Sequence, residues 1–356
     1  MKRIVTNRDT RNDFITYLCV IAAFVILTLL SNGGVLGRAH IALLVPICAY
    51  IVAAIGLNLC VGILGELSLG HAGFMSVGCF VGITVSESLS LTVADPTIRL
   101  ILAIIIGAIF AAFIGFLIGI PVLRLKGDYL AIVTLAFGEI IKDIMTCLIV
   151  GVDSNGLHII FNGAGTMTTA DLNLAEGGKT IIQGAQGAVG TQTISTFLGG
   201  FVLIMIALIV VLNFKKSRAG RAVMAIRDNR IAAEASGINV TKYKLIAFSI
   251  SAAIAGAAGA LYGLNLSSVV ATKFNFNTSI LILVYVVLGG LGNMRGTLIA
   301  ATVLYALPEL LRAFSSYRML VYAIVLILVM IATNNTQVKQ LISKIIPKRK
   351  SKEEVR

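Results

Sequence analysis

The 356-residue chain has little charge. Only 13% of its residues are Asp, Glu, Lys or Arg, while 58% are hydrophobic. A soluble domain carries about twice that charged fraction, so too few polar side chains are present to cover a soluble surface. Tryptophan is absent, which leaves any aromatic belt to Tyr and Phe. The five cysteines, Cys19, Cys48, Cys60, Cys79 and Cys147, all lie inside apolar runs. None forms a CxxC or Cys/His cluster, which argues for buried small hydrophobes over disulfides or a metal site. The three histidines, His40, His71 and His158, are far apart and lack HExxH spacing. No metal-ligand set and no nucleophile–base set emerges, so the chain reads as a non-enzyme with no cofactor of its own. Gly178-Lys179-Thr180 imitates the end of a phosphate-binding loop, but Asn173 stands where its first glycine belongs and no apolar strand precedes it.

Long apolar runs are present instead. A membrane-spanning helix needs roughly 20 mostly apolar residues, and ten candidate spans are found: 14–30, 41–64, 67–86, 98–120, 129–150, 194–212, 245–266, 279–291, 297–314 and 319–333. The eighth is short enough for a half-helix or re-entrant segment. The basic stretch before the first run resembles a signal peptide. The run is long for one, however, and no clean cleavage site follows, so it reads as a retained span.

The formal net charge of +13 is distributed unevenly. Lys2, Arg3, Arg8 and Arg11 precede the first span, and Arg124 and Lys126 sit in the 121–128 loop. Residues 213–244 hold Lys215, Lys216, Arg218, Arg221, Arg227, Arg230, Lys242 and Lys244 against Asp228 and Glu234. The tail from 334 is also basic. Ten spans put all four segments on one side, which the positive-inside rule makes cytoplasmic, and both termini with them. Such charge reads as loops facing anionic lipid, not as a nucleic-acid surface. The opposite side receives the weakly acidic, Gly/Thr/Asn-rich loop 151–193, read as either a docking surface or a disordered tether. The expected organisation is a cytoplasmic segment 1–13, one all-α transmembrane domain 14–333, and a basic cytoplasmic tail 334–356.

Among 35 glycines, Gly115/Gly119, Gly259/Gly263 and Ala255/Gly259 have the small-xxx-small spacing that lets helices approach closely. Two denser runs, 65–73 and 289–296, join glycines to polar groups. Irregular backbone at membrane depth persists only where it is buried in protein or lines water, so both runs point to a substrate path. The path residues expected are Ser68, Gly70, His71, Gly73, Gly289, Gly290 and Gly292. Glu139 and Asp143, in the fifth span beside Lys142, are either path lining or a pair that satisfies itself.

The 220–238 stretch reads as two short helices, the second capped by Asn229 and ended at Gly237. Its sequence, GRAVMAIRDNRIAAEASGIN, resembles the EAA-type coupling loop of ABC importer permeases. The stretches GLNLCVGILGELSLGHAGFMSVG, LRLKGDYLAIVTLAFGEIIKDI and LILVYVVLGGLGNMRGTLIAATVLYALPELLR are similar to branched-chain amino acid ABC transporter permeases of the LivM-like type. The resemblance covers about 56–312. It implies a type II importer fold and a permease for leucine, isoleucine and valine in a bacterial-type plasma (inner) membrane. Its expected partners are two ATPase subunits holding ATP-Mg, a second homologous permease and an external solute-binding protein. The ATPase-coupling residues it implies are Gly220, Arg221, Ala225, Arg227, Asp228, Ala233, Glu234, Ala235 and Gly237. Relatives that carry urea or short amides, and an ion-coupled secondary transporter, are the alternatives.

Overall fold

The computed structural model describes residues 2–327 except 35–36, 91, 126, 154–155, 164–168, 176, 312–316 and 318–319; in 2–12, 32 and 39 it describes the backbone alone. The tail 334–356 and residues 319 and 328–333 of the expected span 319–333 lie outside the described residues.

The apolar runs form helices. They are α1 (Lys2–Asn32), α2 (Arg38–Asn58, prolonged by a π-helical turn Leu59–Leu64), α3 (His71–Leu89), α4 (Pro96–Val122), α5 (Asp128–Cys147), α6 (Phe197–Lys216), α7 (Arg218–Asp228), α8 (Arg230–Ala235), α9 (Val240–Gly263), α10 (Phe276–Gly289) and α11 (Met294–Leu310). Among the described residues, six helical stretches are long and apolar enough to cross a membrane: Asp13–Ser31, His40–Leu64, His71–Leu89, Pro96–Val122, Phe197–Lys216 and Val240–Gly263. α5 has the length, at 20 residues, but also carries Asp128, Glu139, Lys142 and Asp143. α10 has 14 residues, about 21 Å at 1.5 Å per residue, short of the roughly 30 Å hydrocarbon core. Beyond Thr302 the described residues comprise the rest of α11, residues 311 and 317, and helical residues 320–327.

Within residues 1–302, α9 is the central helix, packed against α2, α3 and α4. Its small residues make this possible. A Cβ at Gly259 would meet the Met75 backbone, with Cα at 2.9 Å, and one at Gly263 would meet Cys79 Sγ at 2.5 Å. On α4, a Cβ at Gly115 would stand 2.5 Å from Ala252 Cβ, and one at Gly119 would stand 2.6 Å from Leu245 Cδ1. In lipid no hydrophobic effect drives helices together, so dense packing of small residues carries the association. The outer faces of α1 and α4 expose Phe14, Leu18, Ile26, Leu29, Ile105, Ile109 and Phe113, as lipid contact requires.

Two expectations need correction. The 129–150 run does not stay helical: α5 ends at Cys147, and Leu148 begins a strand. The chain is also not all-α. The 148–189 stretch carries β1 (Leu148–Asp153), β2 (Gly156–Phe161), β3 (Lys179–Gln183) and β4 (Ala188–Val189), and the α9–α10 connection adds β5 (Ser268–Val269), in one five-stranded sheet ordered β2-β1-β3-β4-β5 and antiparallel throughout. The β-branched Ile149, Val150 and Val152 are buried in β1 and suit a pleated strand better than a further helical turn. Asp153 closes the β1–β2 turn by accepting from Gly156 N at 3.0 Å, and its other oxygen accepts from Ala175 N at 3.1 Å.

The sheet is tied to the helices through Glu87, 2% exposed near the end of α3. Glu87 Oε2 accepts from Lys179 Nζ and Oε1 from Gln192 N, both at 2.8 Å. Arg99 of α4 donates to Gln192 Oε1 at 2.8 Å. Lys179, the lysine of the phosphate-loop imitation, is thus a strut between sheet and helices. A cleft of about 490 Å³ opens where α5 meets the sheet, lined by Thr146, Asn162, Thr169, Gln183 and Gln186 among others.

Candidate translocation path and coupling segment

The two glycine-rich runs break the helices where the sequence pattern places them. After the π-helical turn, Gly65 takes a left-handed conformation (φ +80°), and residues 65–70 run irregularly until α3 starts at His71. His71 is buried and its Nε2 lies 3.0 Å from the carbonyl of Ala53, near the middle of the helical stretch 40–64. α3 therefore begins inside the bundle, not at its surface. Thr134 of α5 covers the irregular stretch by accepting from Leu69 N at 3.1 Å. Backbones then touch: a Cβ at Gly138 would meet Gly70 Cα at 3.0 Å, and one at Gly73 would meet Gly138 Cα at 2.9 Å. Ser68 is buried, with no hydrogen-bond partner on its Oγ.

α10 starts at the same place. Ser279 Oγ accepts from Ala72 N at 3.1 Å. Glu139 Oε1 accepts from Phe276 N at 2.8 Å, satisfying one of the orphan donors of the α10 N-terminus with a negative charge. Glu139 also pairs with Lys142, whose ammonium lies 3.3 Å from Asp143. Leu69, Gly73, Gly138, Glu139, Phe276 and Ser279 thus meet along one closed seam. Of the expected path residues, Gly73 and Glu139 line it, while Gly70 and His71 sit at its α3 end. Asp143 does not join them: its side chain is 72% exposed.

The second break, Gly289–Asn293, forms a separate crossing with Gly62. Gly289 leaves room for the backbone of Gly296 and Thr297 at the start of α11. Gly290 and Gly292 have φ of +93° and +76°. Gly292 N donates to Asn58 Oδ1 at 2.8 Å, and Asn58 Nδ2 donates to Thr297 Oγ1 at 2.8 Å. Asn58 is fully buried. The sequence pattern offered no sign of this residue, which is a lone polar group in an apolar run.

The basic segment forms the two expected helices, α7 and α8. Ser217 Oγ caps α7 by accepting from Gly220 N at 3.0 Å, and Gly220 packs on the Phe214 carbonyl with no room for a side chain. Asn229 Oδ1 caps α8 by accepting from Ala232 N at 3.1 Å, while its own N–H donates to the Ala225 carbonyl at 3.0 Å. Gly237 ends α8 at φ +80°. Ile226, Ala233 and Val240 form the small core beneath. Arg221 donates to the Lys216 carbonyl at 2.7 Å. Glu234 pairs with Arg230 at 2.9 Å, and with Ala235 it lies on the exposed face. Ile231 is 79% exposed, an unusual position for a large apolar side chain. It was legible as an apolar residue off the Ile226 face, but the coupling pattern passed over it. Arg227 turns inward to the Gly62 carbonyl, at 2.9 Å, while holding Asp228.

Ion pairs gather several segments at this end of the bundle. Lys244 at the base of α9 pairs with Glu66, and Lys216 pairs with Asp13. Arg295 donates to Thr16 Oγ1 at 2.7 Å.

Six apolar helices, helix breaks buried among them and a capped basic protrusion define a multi-pass integral membrane protein of the permease class. Residues 37–331 match the family model described as branched-chain amino acid transport system / permease component, and the chain belongs to that family. It is 34% identical over 314 residues to the high-affinity branched-chain amino acid transport system permease protein LivM of Escherichia coli (strain K12), covering 83% of this chain and 68% of that protein. The corresponding LivM of Salmonella typhimurium is 35% identical over 289 residues, covering 79% of this chain and 66% of that protein. The ribose import permease protein RbsC of E. coli (strain K12) is 33% identical over 129 residues, 34% of this chain and 40% of that protein. No solved structure matches.

Proposed function

We propose that this chain is the membrane-spanning subunit of a type II ABC importer in a bacterial-type inner membrane, carrying leucine, isoleucine and valine inward. About ten spans, with both termini cytoplasmic, fit the distribution of basic loops. ATP-Mg is held by two partner ATPases, a second homologous permease completes the path, and an external solute-binding protein delivers the amino acid on the sheet-bearing side. Transport proceeds by alternating access. Closure of the ATPases moves the 218–238 segment, and the helices shift as rigid bodies. The closed seam at Gly70, Gly73, Gly138 and Glu139 fits a resting state, and opening it exposes Ser68 and Glu139 to the substrate.

The observation that carries this reading is the exposed α7–α8 pair, which presents Glu234, Ala235 and Ile231 from a separately capped and cored unit. The test is purification of the tagged chain from native membranes in mild detergent, with mass spectrometry of what accompanies it, followed by uptake of labelled leucine, isoleucine, valine, urea and ribose. Two ATPases, a second permease and saturable branched-chain amino acid uptake are expected. Uptake driven by an ion gradient without ATPases would overturn the reading, and uptake of urea or ribose alone would replace the substrate.

A further inference from the structure

The coupling segment touches the helix breaks through one polar side chain. Gly62 lies two residues before Leu64, the end of the π-helical turn, among the carbonyls that helix geometry leaves without an intrahelical donor. Arg227 Nη1 fills that role at 2.9 Å. Its Nε and Nη2 rest on Asp228 Oδ1 at 3.1 and 2.9 Å, which fixes the plane of the guanidinium. The side-chain stem lies over Gly65, where a Cβ would stand 2.5 Å from Arg227 Cγ. Gly62 is covered on another side by the second break, since a Cβ there would meet Gly292 Cα at 2.8 Å and the Asn58 amide. Asn58 ties Gly292 to Thr297 of α11. Arg221 and Arg230, by contrast, bond locally to Lys216 and Glu234, and Ile226 packs within the segment's own core.

We infer that Arg227 is the positioning residue that transmits movement of the 218–235 segment to the Gly62–Gly292 crossing, and so to both helix breaks at once. The inference rests on the reading of that segment as the ATPase-docking element. A planar guanidinium suits this role because it donates to Gly62 and Asp228 together, which a single ammonium does only poorly. When the segment shifts, the Gly62 carbonyl and the π-helical turn follow. Such single-turn irregularities occur frequently at functional sites.

The test uses the full importer complex in lipid nanodiscs, with Arg227→Ala and Arg227→Lys. Three quantities are read: retention of the ATPases, solute moved per ATP hydrolysed, and amide hydrogen exchange across residues 59–66 and 289–296. Expected for Arg227→Ala is normal ATPase retention, exchange faster by about tenfold in both stretches, the size of one lost charge-assisted hydrogen bond, and a similar fall in solute moved per ATP. Arg227→Lys should fall between Arg227→Ala and the unsubstituted chain, and carries the same test should the alanine variant not accumulate. Unchanged exchange and unchanged stoichiometry with the partners present overturn the transmission role alone. Loss of ATPases with exchange unchanged overturns it in favour of a direct docking contact. Absence of ATPases from the unsubstituted complex overturns both the importer reading and the inference.

Discussion

Asn58 accepts from the backbone N–H of Gly292 at 2.8 Å, across 234 residues of sequence and in full burial. The same amide donates to Thr297. This one side chain therefore closes α2 onto the α10–α11 turn and satisfies groups that no helix ladder serves.

Replacing Asn58 with Leu keeps the branched shape but strands the Gly292 N–H, while Thr297 Oγ1 keeps its bond to the Asn293 carbonyl at 3.1 Å. The expected loss is about 1–3 kcal/mol, the cost of leaving one backbone donor unpaired. Because the chain has no Trp, thermal unfolding is best followed with a thiol-reactive fluorophore. Cys48, Cys60 and Cys79 are buried and become reactive only on unfolding. A midpoint lowered by several degrees is expected, and an unchanged midpoint would count against this role.

Two glycines should respond differently to alanine. At Gly259 the new methyl meets the Met75 backbone, which has no flexible end to yield, so overpacking of about 1–3 kcal/mol is expected, with α9 pushed from α3. At Gly237 nothing stands within 4 Å, and the cost is the left-handed backbone alone, about 1 kcal/mol. The same fluorophore assay ranks the two, and equal midpoints would contradict the packing account.

On the α8 surface, Ile231→Asp and Glu234→Lys should leave the fold intact. Ile231 is mostly exposed, and an exposed i,i+4 pair such as Arg230–Glu234 contributes about 0.3–0.5 kcal/mol. Recovery of ATPases with the purified chain should nevertheless drop by about tenfold or more for Ile231→Asp, since burying an isoleucine in a partner's cleft is worth roughly 1.5–3 kcal/mol. Normal recovery and normal uptake in both variants would remove α8 from the docking surface.

Glu87→Ala should loosen the sheet without opening the bundle. Lys179 keeps water and the Gly190 carbonyl, but Gln192 N loses its acceptor, and because Gln192 is exposed the cost is that of one net hydrogen bond, about 1 kcal/mol. Limited proteolysis is expected to cut within residues 151–193 several times faster than in the unsubstituted chain, while the helical core stays intact. Equal cleavage rates would show that the sheet is held by other contacts.

The helical runs were legible because lipid demands them. An apolar stretch of twenty residues has few other places to go, and basic loops mark one side. The two short helices at 218–235 were legible for a local reason: Asn229 and Gly237 carry their capping roles in their own side chain or lack of one. The sheet was not legible. Leu148–Val150 continue the apolar run of α5 without a break, and the other strands are short and find their partners through tertiary contacts.

The sequence by itself determined the apolar membrane helices, the family and the two capped basic helices at 218–235, because hydropathy, motif similarity and caps act over a few residues. Tertiary structure alone decided what the polar residues do. It put Glu139 on the α10 N-terminus and Asp143 outside the seam, set Lys179 against Glu87, Asn58 against Gly292 and Arg227 against Gly62. Each of these partnerships joins groups remote in sequence, and a buried donor or acceptor takes whichever partner the packed helices bring within about 3 Å.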